Sequence, residues 1–191
     1  MHFCLNLTID ERKRLTGIFA GDMEKAHLAA VEAGDRHWRC AVKARADVVI
    51  TSGGGSPLDA TFYQTVKGVV AALPVLREGG TIIVASECAE GLGSRQFARE
   101  LRNFKGADQY LELIMNRAEM IVDQWQLQKL AEALRRARVI LVGALKENSA
   151  PVGRADSIAS AVERARADRA NGSGLFIIPS GPYVIAEVED D

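Results

Sequence analysis

The stretch 46-ADVVITSGGGSPLDATFYQTVKG-68 decides the fold. Its opening, ADVVITS, is β-branched and almost continuously apolar, the pattern of a strand buried on both faces. Gly53, Gly54 and Gly55 then let the chain turn sharply off the strand end. After them Ser56 reads as a helix cap, Pro57 as the first helical residue and Asp59 as the partner that completes a capping box. The predicted helix runs over 57–73. A buried strand, a glycine turn and a helix form the repeating unit of a parallel α/β sheet.

The unit recurs along the chain. TIIVAS (81–86), RVILVGAL (138–145) and LFIIP (175–179) repeat the strand pattern, and helical segments are predicted at 95–104, 124–137 and 157–166. Together they predict a three-layer α/β fold, an open and mostly parallel sheet with helices on both faces. After LFIIP, the turn SGP leads into YVIAEV (183–188), expected as an antiparallel edge pair. Upstream, HFCLNLTI (2–9) and RLTGIFA (14–20) flank the polar turn DERK and read as an amino-terminal β-hairpin. A helix from Asp22 to about Ala33, stopped by Gly34, follows. The domain reading is a hairpin and helix over 1–40, continuing from an upstream domain, and an α/β domain over 41–191.

Bulk properties narrow the function. Of 191 residues, 24 are basic and 25 acidic, giving a net charge of −1 with no Lys/Arg block, which argues against a nucleic-acid partner. No apolar run has the length of a membrane span, so no membrane partner is expected. Cys4, Cys40 and Cys88 are odd in number and widely spaced, fitting a reducing cytoplasm better than a disulfide framework.

The helix after the glycines has two kinds of surface. Phe62, Val66, Val69, Val70 and Leu73 fall on one stripe at helical spacing, which packs on the sheet. Asp59, Tyr63, Gln64 and Lys67 lie along the flank, with Gln64 and Lys67 neighbours at i, i+3. Counted from a cap at Ser56, Lys67 is about 16 Å along the axis at 1.5 Å per residue, too far to serve a phosphate on the glycines. Two readings of the flank stand side by side: a solvated face, or a surface addressing a ligand that approaches the side of the helix. The glycines likewise read as a tight turn or a nucleotide cradle, although their spacing matches neither the dinucleotide fingerprint nor the P-loop.

The run GGGSPLDATFYQTVKG resembles the carboxy-terminal domain of the nickel-pincer lactate racemase family. So do FAGD…AH at 19–27, GGTIIVASECAEGLG at 79–93 and DQW at 123–125. The resemblance implies a 2-hydroxy-acid racemase in which a nickel pincer nucleotide exchanges a hydride with the substrate α-carbon. It further implies that the bases and the cofactor tether belong to an amino-terminal catalytic domain, the expected partner. By the same resemblance, Tyr63, Gln64, Lys67 and Trp125 bind a small 2-hydroxy acid, with Lys67 pairing its carboxylate and Gln64 orienting it. Catalytic and metal residues are expected in the other domain and none here, so the chain alone is expected to be inactive and to bind no cofactor. Gly53, Gly54, Gly55 and Asp59 remain loop candidates.

Trp125 also stands out by position. Asp123 and Gln126 read as a capping box, Leu127, Leu130, Ala131 and Leu134 form the stripe of the following helix, and Trp125 points away from it. ECAEGLGS (87–94) reads as a second strand-to-helix turn capped by Ser94. His37 and Cys40 form a lone H-x-x-C pair, two ligands short of a metal site, and His27 reads as a packed or surface histidine. Fold alone leaves two other functions open: a non-catalytic module that binds a small carboxylate or a partner, and a stand-alone nucleotide-binding transferase using the Gly53–Gly55 loop.

Overall fold

The computed structural model describes residues 2–10, 12–146, 150–167 and 174–189. The chain divides into two units, Met1–Cys40 and Ala41–Asp191.

In the first unit, strands β1 (Phe3–Ile9) and β2 (Leu15–Asp22) form an antiparallel hairpin with Leu5 opposite Ala20 and Leu7 opposite Ile18. Asp10 organises its turn, accepting from the backbone N–H groups of Arg12 and Arg14 at 2.9 Å each. These bonds, with the Arg14 guanidinium, hold the Asp10 carboxyl below its ordinary range. Helix α1 (Met23–Trp38) packs on both strands and is capped by Asp22, whose carboxylate accepts from Lys25 N–H at 3.1 Å. The helix does not stop at Gly34. The Trp38 ring lies over the position where Gly34 would carry a side chain, so the glycine is a seat for an aromatic rather than a terminator.

The second unit is built on five parallel strands. After the short β3 (Arg39–Val42), the sheet comprises β4 (Ala46–Ser52), β5 (Leu76–Ala85), β6 (Ala137–Val142), β7 (Gly153–Ala155) and β8 (Leu175–Ile178), in spatial order β7-β6-β5-β4-β8. The chain enters at β4, steps outward through β5 to β7, then returns to the other side of β4 as β8. The order therefore reverses between β4 and β8, the kind of switch point where open sheets leave a crevice at their carboxyl edge.

Helices cover both faces, as the sequence predicts. On one face α2 (Phe62–Ala72), α3 (Arg95–Arg102), α4 (Ala107–Met115) and α5 (Gln124–Arg136) pack Phe62, Val66, Val69, Phe97, Leu127 and Leu130 against Val49, Ile82 and Val84. On the other, Ala161 and Ala165 of α6 (Ile158–Ala167) close over Val48, Ile83 and Ile140. Strand residues of β4 and β5 alternate between these two cores, which is why their sequences are apolar without a break.

Four local expectations are corrected. Helix α2 begins at Phe62 with Thr61 as its cap, not at 57 with Ser56; a short 3₁₀ turn, Leu58–Ala60, occupies the intervening residues. Asp59 is drawn away from any capping box because its carboxylate accepts from the Glu87 N–H at 3.2 Å. The last strand, β9 (Ile185–Val188), pairs with β3 rather than with β8; Glu189 N–H donates to the Val42 carbonyl at 2.9 Å. Chain direction changes in the Gly181–Tyr183 3₁₀ turn, which carries the strand off the sheet instead of folding it back. Of the acidic end, Glu187 and Val188 lie in β9, and residues 190 and 191 lie outside the described residues. Finally, α4 and β7 are elements the sequence reading left as connection: α4 lacks a side-chain cap and β7 is three residues long.

Candidate functional site

Three loops leave the carboxyl edge of the sheet and interlock. After β4, Gly54 and Gly55 take φ of +95° and +72°, which only glycine adopts without strain. Gly53 N–H donates to the Ala85 carbonyl at 2.8 Å, and the Ser52 hydroxyl donates to the Pro179 carbonyl at 2.6 Å, joining this loop to those after β5 and β8. The loop after β5 then runs alongside residues 59–63. Cys88 and Glu90 N–H donate to the Asp59 and Ala60 carbonyls at 2.8 Å each, while Phe62 and Tyr63 N–H donate to the Gly91 and Leu92 carbonyls at 2.9 and 3.0 Å. Beneath, the Thr65 hydroxyl meets the Ser86 hydroxyl at 2.6 Å and the Cys88 thiol at 3.2 Å.

This interlocking bears on the glycines. A phosphate cradle needs free N–H groups at the helix start. In α2 the first two are taken by Gly91 and Leu92, and Gln64 N–H returns to Thr61. The Asp59 carboxylate, bonded to Glu87 N–H, adds negative charge beside the turn. The Gly53–Gly55 loop is a strand-to-helix turn locked by its neighbour, and the transferase reading loses its support.

The flank of α2 is held close to the sheet edge. Gly68 allows this, because a Cβ there would run into the Ser52 carbonyl. Phe62, Val66 and Val69 are buried, while Tyr63, Gln64 and Lys67 are partly exposed. With the helix starting at Phe62, Lys67 lies about 9 Å past the Thr61 cap rather than 16 Å, and Tyr63 and Lys67 are one turn apart on the same side. Lys67 has no ion pair with the described residues. Gln64 Oε1 and Asp59 Oδ1 are both buried without a hydrogen-bond partner among those residues, a condition rare enough in folded proteins to call for an explanation.

Trp125, in the first turn of α5, is 52% exposed. Its ring meets that of Tyr63 edge-on, with centroids 6.1 Å apart, and Tyr63 in turn meets Phe97 at 5.1 Å. The structure thus places Trp125 beside Tyr63, on the side of α2 that carries Lys67. The tie between the helices is a residue assigned another role from sequence. Gln126 does not cap α5; it is buried, and its side-chain N–H donates to the Tyr63 carbonyl at 2.6 Å. Its phase was the available signal, since it stands one helical turn before Leu130 on the buried stripe. Asp123 makes no cap bond either. It sits at φ +67° and accepts from the Ser94 hydroxyl at 2.5 Å. Burial, and next the Asp123 carboxylate, push the Tyr63 phenol above its ordinary pKa, so it stays a protonated donor at neutral pH. Ser94 caps α3 as expected, through Phe97 N–H at 3.2 Å.

Other candidates do not assemble. Glu87 and Glu90 are both exposed, and no group of three His, Cys, Asp or Glu residues comes together among the described residues. The donors described here therefore do not fit a nickel site. A cavity of about 770 Å³ is lined by Arg45, Leu73, Pro74, Lys129, Arg136 and Glu187 among others, and includes none of Tyr63, Gln64, Lys67 or Trp125. The aromatic and basic flank, with Trp125 exposed and Tyr63, Gln64 and Lys67 partly so, is not part of this cavity's lining.

Fold and site together define an open-sheet α/β domain with a polar and aromatic helix flank at the carboxyl edge of its strands. The chain belongs to the lactate racemase family: residues 41–186 match the family model described as the lactate racemase C-terminal domain. It is 36% identical over 189 residues to a lactate racemase of Thermoanaerobacterium thermosaccharolyticum, covering 96% of this chain and 44% of the relative. A lactate racemase of Lactiplantibacillus plantarum is 33% identical over 200 residues, covering 97% and 45%. The chain thus spans about half the length of these relatives. The solved structure of the T. thermosaccharolyticum lactate racemase apoprotein superposes with a TM-score of 0.89 over 97% of this chain and 46% of that one. A Thermotoga maritima protein of 14% identity shares the fold, with a TM-score of 0.61. No described helix is long and apolar enough to cross a membrane.

Proposed function

We propose that this chain is the carboxylate-recognising half of a 2-hydroxy-acid racemase that uses a nickel pincer nucleotide. The reading is carried by one observation: an exposed tryptophan braced on Tyr63, beside a lysine that has no ion pair among the described residues. In it Lys67 binds the substrate carboxylate and the Gln64 amide orients it. The Trp125 face forms one wall of a cleft completed by an amino-terminal catalytic domain. A charge-assisted bond gains strength when that domain excludes water. Gln64 Oε1, buried and unpartnered, would accept a donor from the substrate or from the closing domain. The nickel pincer nucleotide, when bound in the full-length protein, would supply the hydride chemistry at the substrate α-carbon. In this reading the described residues of the chain bind and orient the substrate.

The test is an assay of D-lactate optical purity with the full-length protein and with this chain alone. The full-length protein should racemise a 2-hydroxy acid, and Trp125→Ala should lower kcat/KM at least tenfold. The 191-residue chain should show neither activity nor stoichiometric nickel. Racemisation by the isolated chain, or none by the cofactor-loaded full-length protein, would overturn the reading.

A further inference from the structure

Asp123 stands where α5 would take its amino-terminal cap, yet its side chain makes no cap bond. Its backbone is left-handed, at φ +67° and ψ +4°, a conformation uncommon outside glycine and tolerated best by Asp and Asn. The carboxylate is turned instead to the loop after β5, where the Ser94 hydroxyl donates to it at 2.5 Å. It has no ion pair among the described residues. A residue that forgoes its cap and takes a rare conformation to hold a hydroxyl calls for a role beyond helix stability.

The surroundings of that carboxylate supply the role. The loop that carries Ser94 lies against Tyr63. Its Leu92 carbonyl accepts from Tyr63 N–H at 3.0 Å, and a Cβ on Gly93 would fall 2.7 Å from the Tyr63 Cβ. Just beyond Asp123, Trp125 meets the Tyr63 ring edge-on. Burial first, and then the Asp123 carboxylate, raise the Tyr63 phenol, while the Trp125 side chain opposes them. Asp123 and Trp125 thus act on one phenol from the same end of α5. An ionised carboxylate only accepts, so it draws the phenol hydrogen towards α5, and the Ser94 hydroxyl fixes the carboxylate itself. The loop after β5, the first turn of α2 and the start of α5 meet at this one side chain.

We propose that Asp123 is a positioning residue which, with Ser94, sets the Tyr63–Trp125 pair in the orientation that lines the substrate cleft. The loop over 87–94 thereby gains a part in the reaction, as the anchor of the wall and not as a group that touches substrate. For the reaction the inference rests on the functional reading above; for the geometry it stands on this chain alone.

The experiment has two arms. In the nitrogen-15-labelled 191-residue chain, the two tryptophans give two indole N–H resonances, assigned with Trp125→Phe. Asp123→Gly suits the left-handed backbone but removes the carboxylate. It should move the Trp125 resonance and abolish the nuclear Overhauser contact between the Tyr63 and Trp125 rings, with the Trp38 resonance unmoved. Asp123→Asn keeps an acceptor for Ser94 and should preserve the contact. In the full-length protein, Asp123→Gly should lower kcat/KM for lactate about tenfold and Asp123→Asn less than about threefold. On a Trp125→Ala background, Asp123→Gly should add less than about a twofold loss, because residues that act through one another are not additive. Far-ultraviolet circular dichroism checks that the variants stay folded. An unmoved Trp125 resonance in Asp123→Gly, or losses that multiply in the double variant, would overturn the proposal. If Trp125→Ala leaves kcat/KM unchanged, the functional reading fails, and the resonance and ring contact still decide the positioning role.

Discussion

The hairpin strands and the strands of the parallel sheet are written in a similar apolar alphabet but end in opposite surroundings. Val48, Val49, Ile82 and Ile83 are fully buried, packed between helices on both faces, whereas Leu5, Leu7 and Ile18 are more than half exposed. The patterns differ in one respect. In β4 the apolar run is continuous, and its cover is present on both sides. In β1 apolar residues alternate with Cys4, Asn6 and Thr8, and the helix covers the less apolar face. Strand sequence thus tells what a face is built to bury, while the layer that buries it has to be found separately.

Substitutions can break that comparison. The largest effect is expected at Ile82, where Ile82→Asp places a carboxylate in a sealed core and should cost more than about 4 kcal/mol, preventing folding. Leu7→Glu should change the stability of this chain by less than about 0.5 kcal/mol, as for other exposed positions. Urea unfolding of the two variants measures both, and a strongly destabilised Leu7→Glu chain would mean that the hairpin face is already covered.

A smaller effect is expected where α5 is tied to α2. Gln126→Leu removes a bond to the Tyr63 carbonyl and should cost about 1–3 kcal/mol. It should also shift Trp125 fluorescence, because the Tyr63–Trp125 contact depends on that tie. Loss of stability without any fluorescence change would separate the tie from the aromatic wall.

Smallest at neutral pH is Tyr110→Phe. The Tyr110 hydroxyl is buried without a partner among the described residues, so its removal should be neutral or stabilise by up to about 1 kcal/mol. Burial first, and then the Glu100 carboxylate, push this phenol to about 12. The folded chain therefore holds the proton after an unfolded chain, with a pKa of about 10, has lost it. That contribution is intact below pH of about 10 and declines as the pH rises towards about 12. Tyr110→Phe should flatten the decline, and an unchanged alkaline slope would show that Tyr110 is not its source.

The continuous apolar runs made the parallel sheet legible, because strands buried on two faces leave little else to encode. The flank of α2 was legible too, since the spacing of Phe62, Val66 and Val69 leaves Tyr63, Gln64 and Lys67 to one side. Caps were misread where side chains had longer-range partners. Asp59 answers to Glu87, Asp123 to Ser94 and Gln126 to Tyr63, contacts of 28, 29 and 63 residues' separation that no local motif displays. Pairing of β9 with β3 was hidden for a similar reason, as nothing in YVIAEV names a partner more than 140 residues away.

The central claim is that the flank of α2 reads a carboxylate, and Lys67 tests it most directly. The measurement is kcat/KM for lactate with the full-length protein and its Lys67→Ala variant, together with the melting temperature of each. A desolvated, charge-assisted bond worth about 1.5–3 kcal/mol corresponds to a loss of roughly 10- to 150-fold, with melting unchanged because Lys67 lies off the buried stripe. Unaltered turnover accompanied by a drop of several degrees in melting would make Lys67 a structural residue and contradict the account.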